Sequence, residues 1–504
     1  MKAISAIILV LLKSFCFSQE YFNKVIPSSQ YYVEGSSSQV LELNDSTIAI
    51  IINAEYRDKP GQLNKLCLLN SEGNLISLNS YLDSINYVNV FDVIRNRDNY
   101  FLAGLKYNSV TKLNDFWISK TNRVLDTIWT KHFRGIYNRC KISKIYYGND
   151  NKLILAGTDN NVRVTGTFIN GRSFIFSLDS VGNFEFYTRI QGQDTVNQEG
   201  YFDVLQVKNG SIYACGTSAK FNLDQEPLIV KLSPDGKLVW RKQIVEPKYN
   251  EVLNNIYYQD DGTLLCVGGS FNGLNNGVQF TYILLESLDT LGNLLWTKRI
   301  VKGYKTYLYN TIQDSKSDII CTGSFQASPT YIQDGWIAKI TSNGDSLWSR
   351  VINHDDSTSE GFSHISQASD GGYYLTGYSW VPGDNSSKAW IVKTDSFGCV
   401  VPGCEKVVRV EDIKNGKEKA FVMFPNPVVS KKFFFLSRIG SGETYQLKIF
   451  NLQGEVIQTY NFRPHVGTQD EVDLNASVAS GLYIVNIINE IGKVIASEKM
   501  EVVN

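Results

Sequence analysis

Short segments in which apolar and polar residues alternate occupy most of the chain, as in Trp336–Ile340. Alternation with a period of two is the pattern of a strand with one face buried. Turn sequences rich in Asp and Gly, such as Asp260–Gly262 and Asp370–Gly372, separate the segments. The pattern therefore predicts an all-β protein, and the 28 Tyr and 26 Phe agree with it because aromatic residues favour strands.

The alternating segments form a repeat of roughly 50 residues, a length at which each copy has room for four strands. We count seven copies, which begin near Ser38, Asp92, Ile142, Tyr201, Leu253, Leu308 and Gly361. The second strand of a copy ends at a glycine (Gly104, Gly157, Gly216, Gly268, Gly323, Gly377). A second glycine turns the third strand into the fourth (Gly73, Gly182, Gly236, Gly292, Gly344, Gly398). An aromatic residue recurs in the fourth strand (Trp129, Phe186, Trp240, Trp296, Trp348).

Four strands in each copy predict a seven-bladed β-propeller over residues 19–404. We interpret the recurring aromatic residues as packing between neighbouring blades. The repeats also resemble a loose family of bacterial propeller repeats, in which a third strand like Ala389–Gly398 recurs. That resemblance implies the fold and leaves the function open, because propellers include enzymes, lectins and protein-binding scaffolds.

The last copy lacks a regular fourth strand, because Pro402 stands where other copies have the aromatic residue and proline cannot donate a ladder hydrogen bond. The missing sequence occurs near the start of the chain. Residues 20–26 match residues 346–352 position for position, with Phe22 in the place of Trp348. We therefore predict that residues 20–26 form the outer strand of the last blade.

Residues 1–18 have the features of a secretory signal peptide: Lys2, an apolar run and a short cleavage region. We expect cleavage between Ser18 and Gln19. Cys16 leaves lipidation as an alternative, although the bulky Phe15 before it does not suit a lipidation site. No other stretch is long and apolar enough to predict a transmembrane segment.

Composition changes after Cys404, where nine charged residues in the segment 405–420 predict an exposed linker. A second group of strands follows and predicts a small Ig-like β-sandwich over residues 421–504. We expect its strands at 431–437, 445–451, 455–462, 471–474, 482–489 and 494–503.

Four sequence motifs of residues 421–504 resemble the type IX secretion C-terminal sorting domain (type A) of Bacteroidetes. They are 424–427, 449–456, 480–487 and 492–503, and they contain Pro425, Asn426, Pro427, Gly454, Gly481, Tyr483 and Lys493. The resemblance implies export through the periplasm to the cell surface or the medium. It also implies that the type IX machinery and its sortase are partners and that the domain is a cleavable sorting signal. The alternative is an ordinary accessory sandwich.

Charge and cysteine usage narrow the possible chemistry. The net charge is -1, with 49 basic and 50 acidic residues, so we expect no nucleic-acid partner. Cys399 and Cys404 flank a turn and are a possible disulfide. Cys215, Cys266 and Cys321 stand just before the second-strand glycines, which favours small buried core residues. No Cys or His cluster has metal-ligand spacing, so we expect neither a metal nor a cofactor.

A search for catalytic motifs finds no nucleophile elbow and no phosphate loop, and we expect a binding or scaffold protein and not an enzyme. Glu34, Glu199 and Glu360 recur before the inner strand, which favours a structural role over a cation or ligand site. The predicted binding face consists of loops at 108–114, 160–171, 272–279 and 380–387, with Trp380 as a candidate contact for a glycan or protein ligand.

Two alternatives stay open at this point. A secreted polysaccharide-degrading propeller enzyme requires two carboxylates and aromatic residues that converge in the central funnel. A structural adhesion or surface-layer component requires neither a pocket nor a catalytic pair.

Overall fold

The computed structural model describes residues 21–400 and 421–503 except for positions 27–31, 45–46, 57–61, 81–87, 109–112, 134–138, 161–162, 165–166, 169–170, 191–197, 220–224, 248, 273–280, 302–304, 327–331, 356, 384–386, 430, 438–443, 452–453, 464–468 and 490–493. Strands dominate these residues, and one short 3-10 helix occurs at Asn149–Asn151. Within this part of the chain, no helix has the length and apolar character needed to cross a membrane.

Strands β1–β15 belong to the first three repeats and to the closing strand near the N-terminus. Strand β1 is Phe22–Val25. The first repeat contains β2 (Tyr32–Asn44), β3 (Thr47–Tyr56), β4 (Gln62–Asn70) and β5 (Leu75–Ser80). The second contains β6 (Val88–Asn96), β7 (Asn99–Asn108), β8 (Leu113–Asn122) and β9 (Thr127–Phe133). The third contains β10 (Arg139–Tyr147), β11 (Leu153–Asn160), β12 (Arg163–Val164), β13 (Thr167–Phe168), β14 (Gly171–Leu178) and β15 (Phe184–Ile190).

Strands β16–β30 complete the repeats. The fourth repeat contains β16 (Gln198–Gln206), β17 (Ile212–Ala219), β18 (Gln225–Leu232) and β19 (Leu238–Gln243). The fifth contains β20 (Tyr249–Tyr258), β21 (Leu264–Asn272), β22 (Thr281–Leu288) and β23 (Leu294–Val301). The sixth contains β24 (Lys305–Gln313), β25 (Ile319–Gln326), β26 (Asp334–Ile340) and β27 (Ser346–Ile352). The seventh contains β28 (Ser359–Gln367), β29 (Tyr373–Trp380) and β30 (Ser387–Thr394).

In the described part of the chain these strands, apart from the two-stranded β12–β13 hairpin, form seven four-stranded sheets, whose neighbouring strands are antiparallel. Each sheet contacts the next along the chain, and the sheet of the seventh repeat also contacts the first through β2 and β28–β30. Apolar side chains fill the space between neighbouring sheets, so the second and third strands are buried on both faces. The predicted all-β propeller fold, followed by a C-terminal β domain, is confirmed.

A β-bulge interrupts the innermost strand of each repeat. In the fifth repeat, Leu253 lies opposite Gly268 and Asn255 lies opposite Val267, so Asn254 is the extra residue. A Cβ on Gly268 would overlap the carbonyl oxygen of Val252. The same carbonyl contact occurs at the other five second-strand glycines, so the bulge geometry explains why this glycine recurs.

The recurring aromatic residue packs under the turn glycine of the next sheet. Trp240 lies under Gly292, and Trp348 lies under Gly398. Both glycines have φ near +80°, which suits a residue without a side chain. The interpretation of the aromatic residues as packing between neighbouring blades agrees with these contacts. Gly344 differs, because it contacts Lys298 and Ile300 instead of Trp296.

Strand β1 completes the sheet of the seventh repeat. It pairs antiparallel with β30, with Phe22 opposite Lys393 and Val25 opposite Trp390. The indole Nε1 of Trp390 donates to the Asn23 side-chain oxygen at 2.6 Å. The predicted pairing of the N-terminal segment with the last repeat is confirmed.

The C-terminal domain has two sheets around one core. Strands β31 (Phe421–Phe424), β33 (Lys432–Ser437) and β36 (Gln469–Asp473) form the smaller sheet. The larger sheet contains β32 (Val428–Val429), β34 (Tyr445–Phe450), β35 (Val456–Phe462), β37 (Gly481–Ile488) and β38 (Val494–Val503). Phe433 and Phe435 of the first sheet pack against Ile449 and Val485 of the second, which makes the domain a β-sandwich.

The cysteines divide into two groups. Cys399 is disulfide-bonded, and its predicted partner Cys404 lies outside the described residues. Cys215, Cys266 and Cys321 are not disulfide-bonded and are fully buried. The interpretation of these three as core residues agrees with their burial.

Candidate functional site

The residue after each inner-strand bulge is polar in all seven repeats. We call this set the inner ring; its members are Gln39, Asp92, Lys144, Asp203, Asn255, Asn310 and His364. An extra residue in a strand shifts the alternation, so two consecutive side chains face the same side. The bulge therefore directs both its own residue and the ring residue towards the centre of the propeller.

A cavity of about 270 Å³ lies at this level, and all inner-ring residues except Asp203 line it. Three aromatic rings from the bulges, Phe91, Phe202 and Tyr309, also line the cavity. The rest of the wall consists of Ile142 and four polar residues, Lys141, Ser143, Asn254 and Ser363. Such a wall combines stacking surfaces with hydrogen-bonding groups.

Asp92 is the acidic residue of the cavity wall and is compensated by its neighbours. Its Oδ2 accepts from the backbone N–H of Ile145 at 2.9 Å and lies 3.7 Å from the Lys144 ammonium. Its Oδ1 accepts from the Gln39 side chain at 3.2 Å. Burial raises the pKa of Asp92, and Lys144 opposes that shift. The carboxylate of Asp92 in turn raises the pKa of Lys144.

Asp203 is not among the residues that line the cavity, and it joins two blades. Its Oδ2 accepts from the backbone N–H of Ile256 at 3.0 Å, and its Oδ1 accepts from Val204 at 2.9 Å. Burial raises the pKa of Asp203. In the described residues, then, one carboxylate and not a pair lines the cavity, while aromatic side chains do converge there.

His364 lines the cavity as a neutral side chain. Burial, together with the positive charge of Lys144, lowers its pKa to about 3. Its Nδ1 has no hydrogen-bond partner in the described residues, nor have Ser143 Oγ and Asn255 Oδ1. All three atoms are themselves buried, so they belong to the interior side of the residues that line the cavity.

Tyr309 is the most accessible aromatic ring of the cavity wall, with 41% of its surface exposed. It stacks on Tyr307 with an interplanar angle of 7° and a centroid distance of 6.4 Å. The stack holds the ring in place, so its remaining surface is available to a ligand.

The recurring glutamates have structural partners. Glu199 forms an ion pair with Arg241 and is almost fully buried. Glu360 accepts from Thr358 Oγ1 at 2.7 Å and from Ser379 Oγ at 3.1 Å. Glu251, which was not singled out in the sequence, pairs with Arg299 at 2.7 Å. The side chain of Glu34 lies outside the described residues.

The predicted binding loops are only partly described. Trp380 is the last residue of β29 and is 37% exposed. It lies opposite Ser359 of β28, five positions before the inner-ring residue His364 of the same strand. The β12–β13 hairpin lies within the loop at 160–171. Positions 109–112, 273–280 and 384–386 lie outside the described residues. The cavity brings together none of the predicted loop residues.

The sorting-motif residues hold the last strand of the chain in the C-terminal sandwich. The Asn426 side chain donates to the Lys499 carbonyl at 2.5 Å and accepts from the Glu501 N–H at 2.9 Å. Pro425 is buried and Pro427 is half-buried beside it. Gly454 forms a tight turn with φ +82°, Gly481 begins β37, and the Tyr483 hydroxyl donates to Ala479 at 2.9 Å. Lys493, Ser18 and Gln19 lie outside the described residues.

Residues 422–500 match the family of secretion system C-terminal sorting domains. The C-terminal domain is a type IX sorting domain. The resemblance seen in the sequence is thereby confirmed. The sorting domain indicates export to the cell surface or secretion, and it implies interaction with the secretion machinery.

Comparison with curated protein sequences finds no match to this chain. Among solved structures, the propeller is similar to the polysaccharide lyase Uly1, with 9% identity, a TM-score of 0.43 and coverage of 76% of this chain and 94% of that one. An ulvan lyase matches with 7% identity, a TM-score of 0.47 and coverage of 75% and 98%. The β-propeller domain of the trilobed protease from Pyrococcus furiosus matches with 10% identity, a TM-score of 0.39 and coverage of 72% and 96%.

Proposed function

We propose that the propeller of this exported protein is a binding module for a hydroxyl-rich ligand, a saccharide unit, in the central cavity. The observation that carries the proposal is the composition of the cavity wall. Three aromatic rings stand beside amide, hydroxyl and imidazole groups. Sugars present apolar C–H faces to aromatic rings and hydroxyl groups to amides, so such a wall suits them.

The size of the cavity supports a small ligand or the end of a chain. Typical pockets for drug-sized ligands have volumes of roughly 300–1,000 Å³. The cavity of about 270 Å³ is near the lower limit of that range. It therefore suits one sugar unit, whereas a protein partner would contact the rim.

The interactions of the cavity carboxylate, Asp92, favour binding over catalysis. A glycoside hydrolase requires two carboxylates on either side of the bond that is cleaved. Among the described residues that line the cavity, Asp92 is the carboxylate, and it is occupied by Ile145, Gln39 and Lys144. The occupation of Asp92 by these three partners supports a binding role.

A glycan array probed with the mature exported protein tests the proposal, followed by calorimetric titration of any glycan that binds. Tyr309→Ala should weaken binding by about tenfold, because loss of one aromatic contact is worth about 1.4 kcal/mol. Tyr258→Ala is the control, since Tyr258 is 44% exposed and lies outside the cavity wall. Equal loss in both variants, or binding to no glycan, would overturn the proposal. Breakdown of a bound glycan would instead indicate an enzyme.

A further inference from the structure

The cations of the cavity wall differ in how they are compensated. Lys144 lies 3.7 Å from Asp92, so that pair contributes little net charge. Lys141, on the same strand, has no acidic partner in the described residues, and its ammonium lies 5.8 Å from the centroid of the Phe91 ring. An aromatic face attracts a cation without neutralising it.

The environment of Lys141 leaves its charge without an acidic counter-charge among the described residues. The side chain is exposed to the cavity, yet protein surrounds it, and this burial lowers the pKa of the ammonium. His364 is neutral and therefore contributes no charge to the cavity. An anionic group placed beside Lys141 would supply the counter-charge that the wall lacks.

We propose that the ligand of the central cavity is an acidic saccharide, whose carboxylate or sulfate binds Lys141 while its ring contacts the aromatic side chains of the wall. This inference rests on the proposed saccharide-binding function and adds the class of sugar. Phe91, whose ring the Lys141 ammonium contacts, lines the cavity together with Lys141. Asn254, whose Nδ2 donates to the Leu308 carbonyl at 3.0 Å, also lines the cavity.

Matched pairs of sugars test the inference with the mature exported protein. Methyl glucuronide is compared with methyl glucoside, and the galacto and manno pairs are treated in the same way. In each pair that binds, the acidic member should bind about tenfold more tightly at low ionic strength. Added sodium sulfate should weaken the acidic member more than the neutral one, because it screens the interaction and competes for Lys141.

Two variants distinguish a local contact from a general effect of charge. Lys141→Gln should abolish the preference for the acidic member, so that the two members of a pair bind with equal affinity. Lys388→Gln removes the same charge from an exposed position outside the cavity wall and should preserve the preference.

The failures of the two proposals are distinguishable. Equal affinity for the acidic and neutral members, or an unchanged preference in Lys141→Gln, overturns the acidic-ligand inference and leaves saccharide binding in place. Binding of no member of any pair overturns both. Tight binding of sulfate without any sugar would show an anion site alone and would also overturn the inference.

Discussion

Phe22 packs directly under Gly73, so that a Cβ on Gly73 would lie 2.6 Å from a ring carbon of Phe22. Phe22 belongs to β1 in the sheet of the seventh repeat, and Gly73 belongs to the first repeat. The contact therefore joins the last and first sheets in the same way that Trp348 joins the sixth sheet to Gly398.

Phe22→Ala should lower the melting temperature of the propeller by several degrees. Phe22 is 5% exposed, and truncation of a buried phenylalanine costs about 3–5 kcal/mol. Scanning calorimetry measures the change, with Phe397→Ala as the control because Phe397 is 47% exposed. Deletion of residues 19–27 should have a larger effect. An unchanged melting temperature in the deletion variant would contradict closure by β1.

The adjacent glycines Gly268 and Gly269 should respond differently to substitution by alanine. A Cβ on Gly268 overlaps the Val252 carbonyl, whereas a Cβ on Gly269 has its nearest neighbour at 3.5 Å, an ordinary contact. Gly268→Ala should destabilise the protein by a few kcal/mol, since the bulge must shift. Gly269→Ala should change the free energy of unfolding by less than about 1 kcal/mol. Urea denaturation compares them, and similar losses would refute the role of the bulge.

Glu286 predicts a dependence of stability on pH. Its carboxyl is fully buried with no hydrogen-bond partner in the described residues, and burial together with Glu251 raises its pKa to about 8. A raised carboxyl pKa in the folded state means that stability is lost as the pH rises from about 4.5 towards 8.

Glu286→Gln removes this titration, so the variant should gain stability relative to wild type as the pH rises. By pH 9 the gain should be on the order of 5 kcal/mol, at about 1.4 kcal/mol for each pKa unit between about 4.5 and about 8. Urea denaturation at pH 5 and pH 9 measures it, and Glu72→Gln on the surface is the control. A gain that is the same at both pH values would show that Glu286 does not titrate in this range.

Removal of residues 421–504 should leave a folded propeller in the periplasm. The sorting domain has its own core, and Phe434 of that domain packs into a propeller cluster, between the fifth and sixth sheets. Loss of the domain therefore removes this contact and leaves the rest of the propeller cores in place. Cell fractionation with a periplasmic marker locates the truncated chain, and circular dichroism of the recovered protein checks its folding. Export equal to that of the full chain would contradict the role of the sorting domain in this protein.

Much of the fold was predictable because its local signals are strong. The repeating glycines and aromatic residues correspond to real contacts, and the predicted strand at 494–503 coincides with β38. Strands β31 and β32 were not predicted, because they are only four and two residues long and flank the Pro425–Pro427 segment. Short strands beside proline carry little alternation from which to infer them.

The inner ring was missed for a physical reason. A bulge breaks the period of two, so a reading of alternation assigns Phe91 and Asp92 to opposite faces although both line the cavity. An alignment of the seven copies would have shown the signal, because one column is polar in every copy. The burial of Glu286 had no such signal. A glutamate in a strand sequence is expected on an exposed face, whereas this strand is buried on both faces.

The bulge also separates the shape of the centre from its chemistry. Backbone pairing and the second-strand glycine fix where each inner-ring side chain stands, and these determinants lie outside the side chain itself. Amide, carboxylate, ammonium and imidazole groups already occupy equivalent positions in different repeats. The seven inner-ring positions can therefore carry different side chains on the same backbone. For the proposed binding function, a substitution of one inner-ring residue would change the selectivity of the cavity without a change in the backbone that surrounds it.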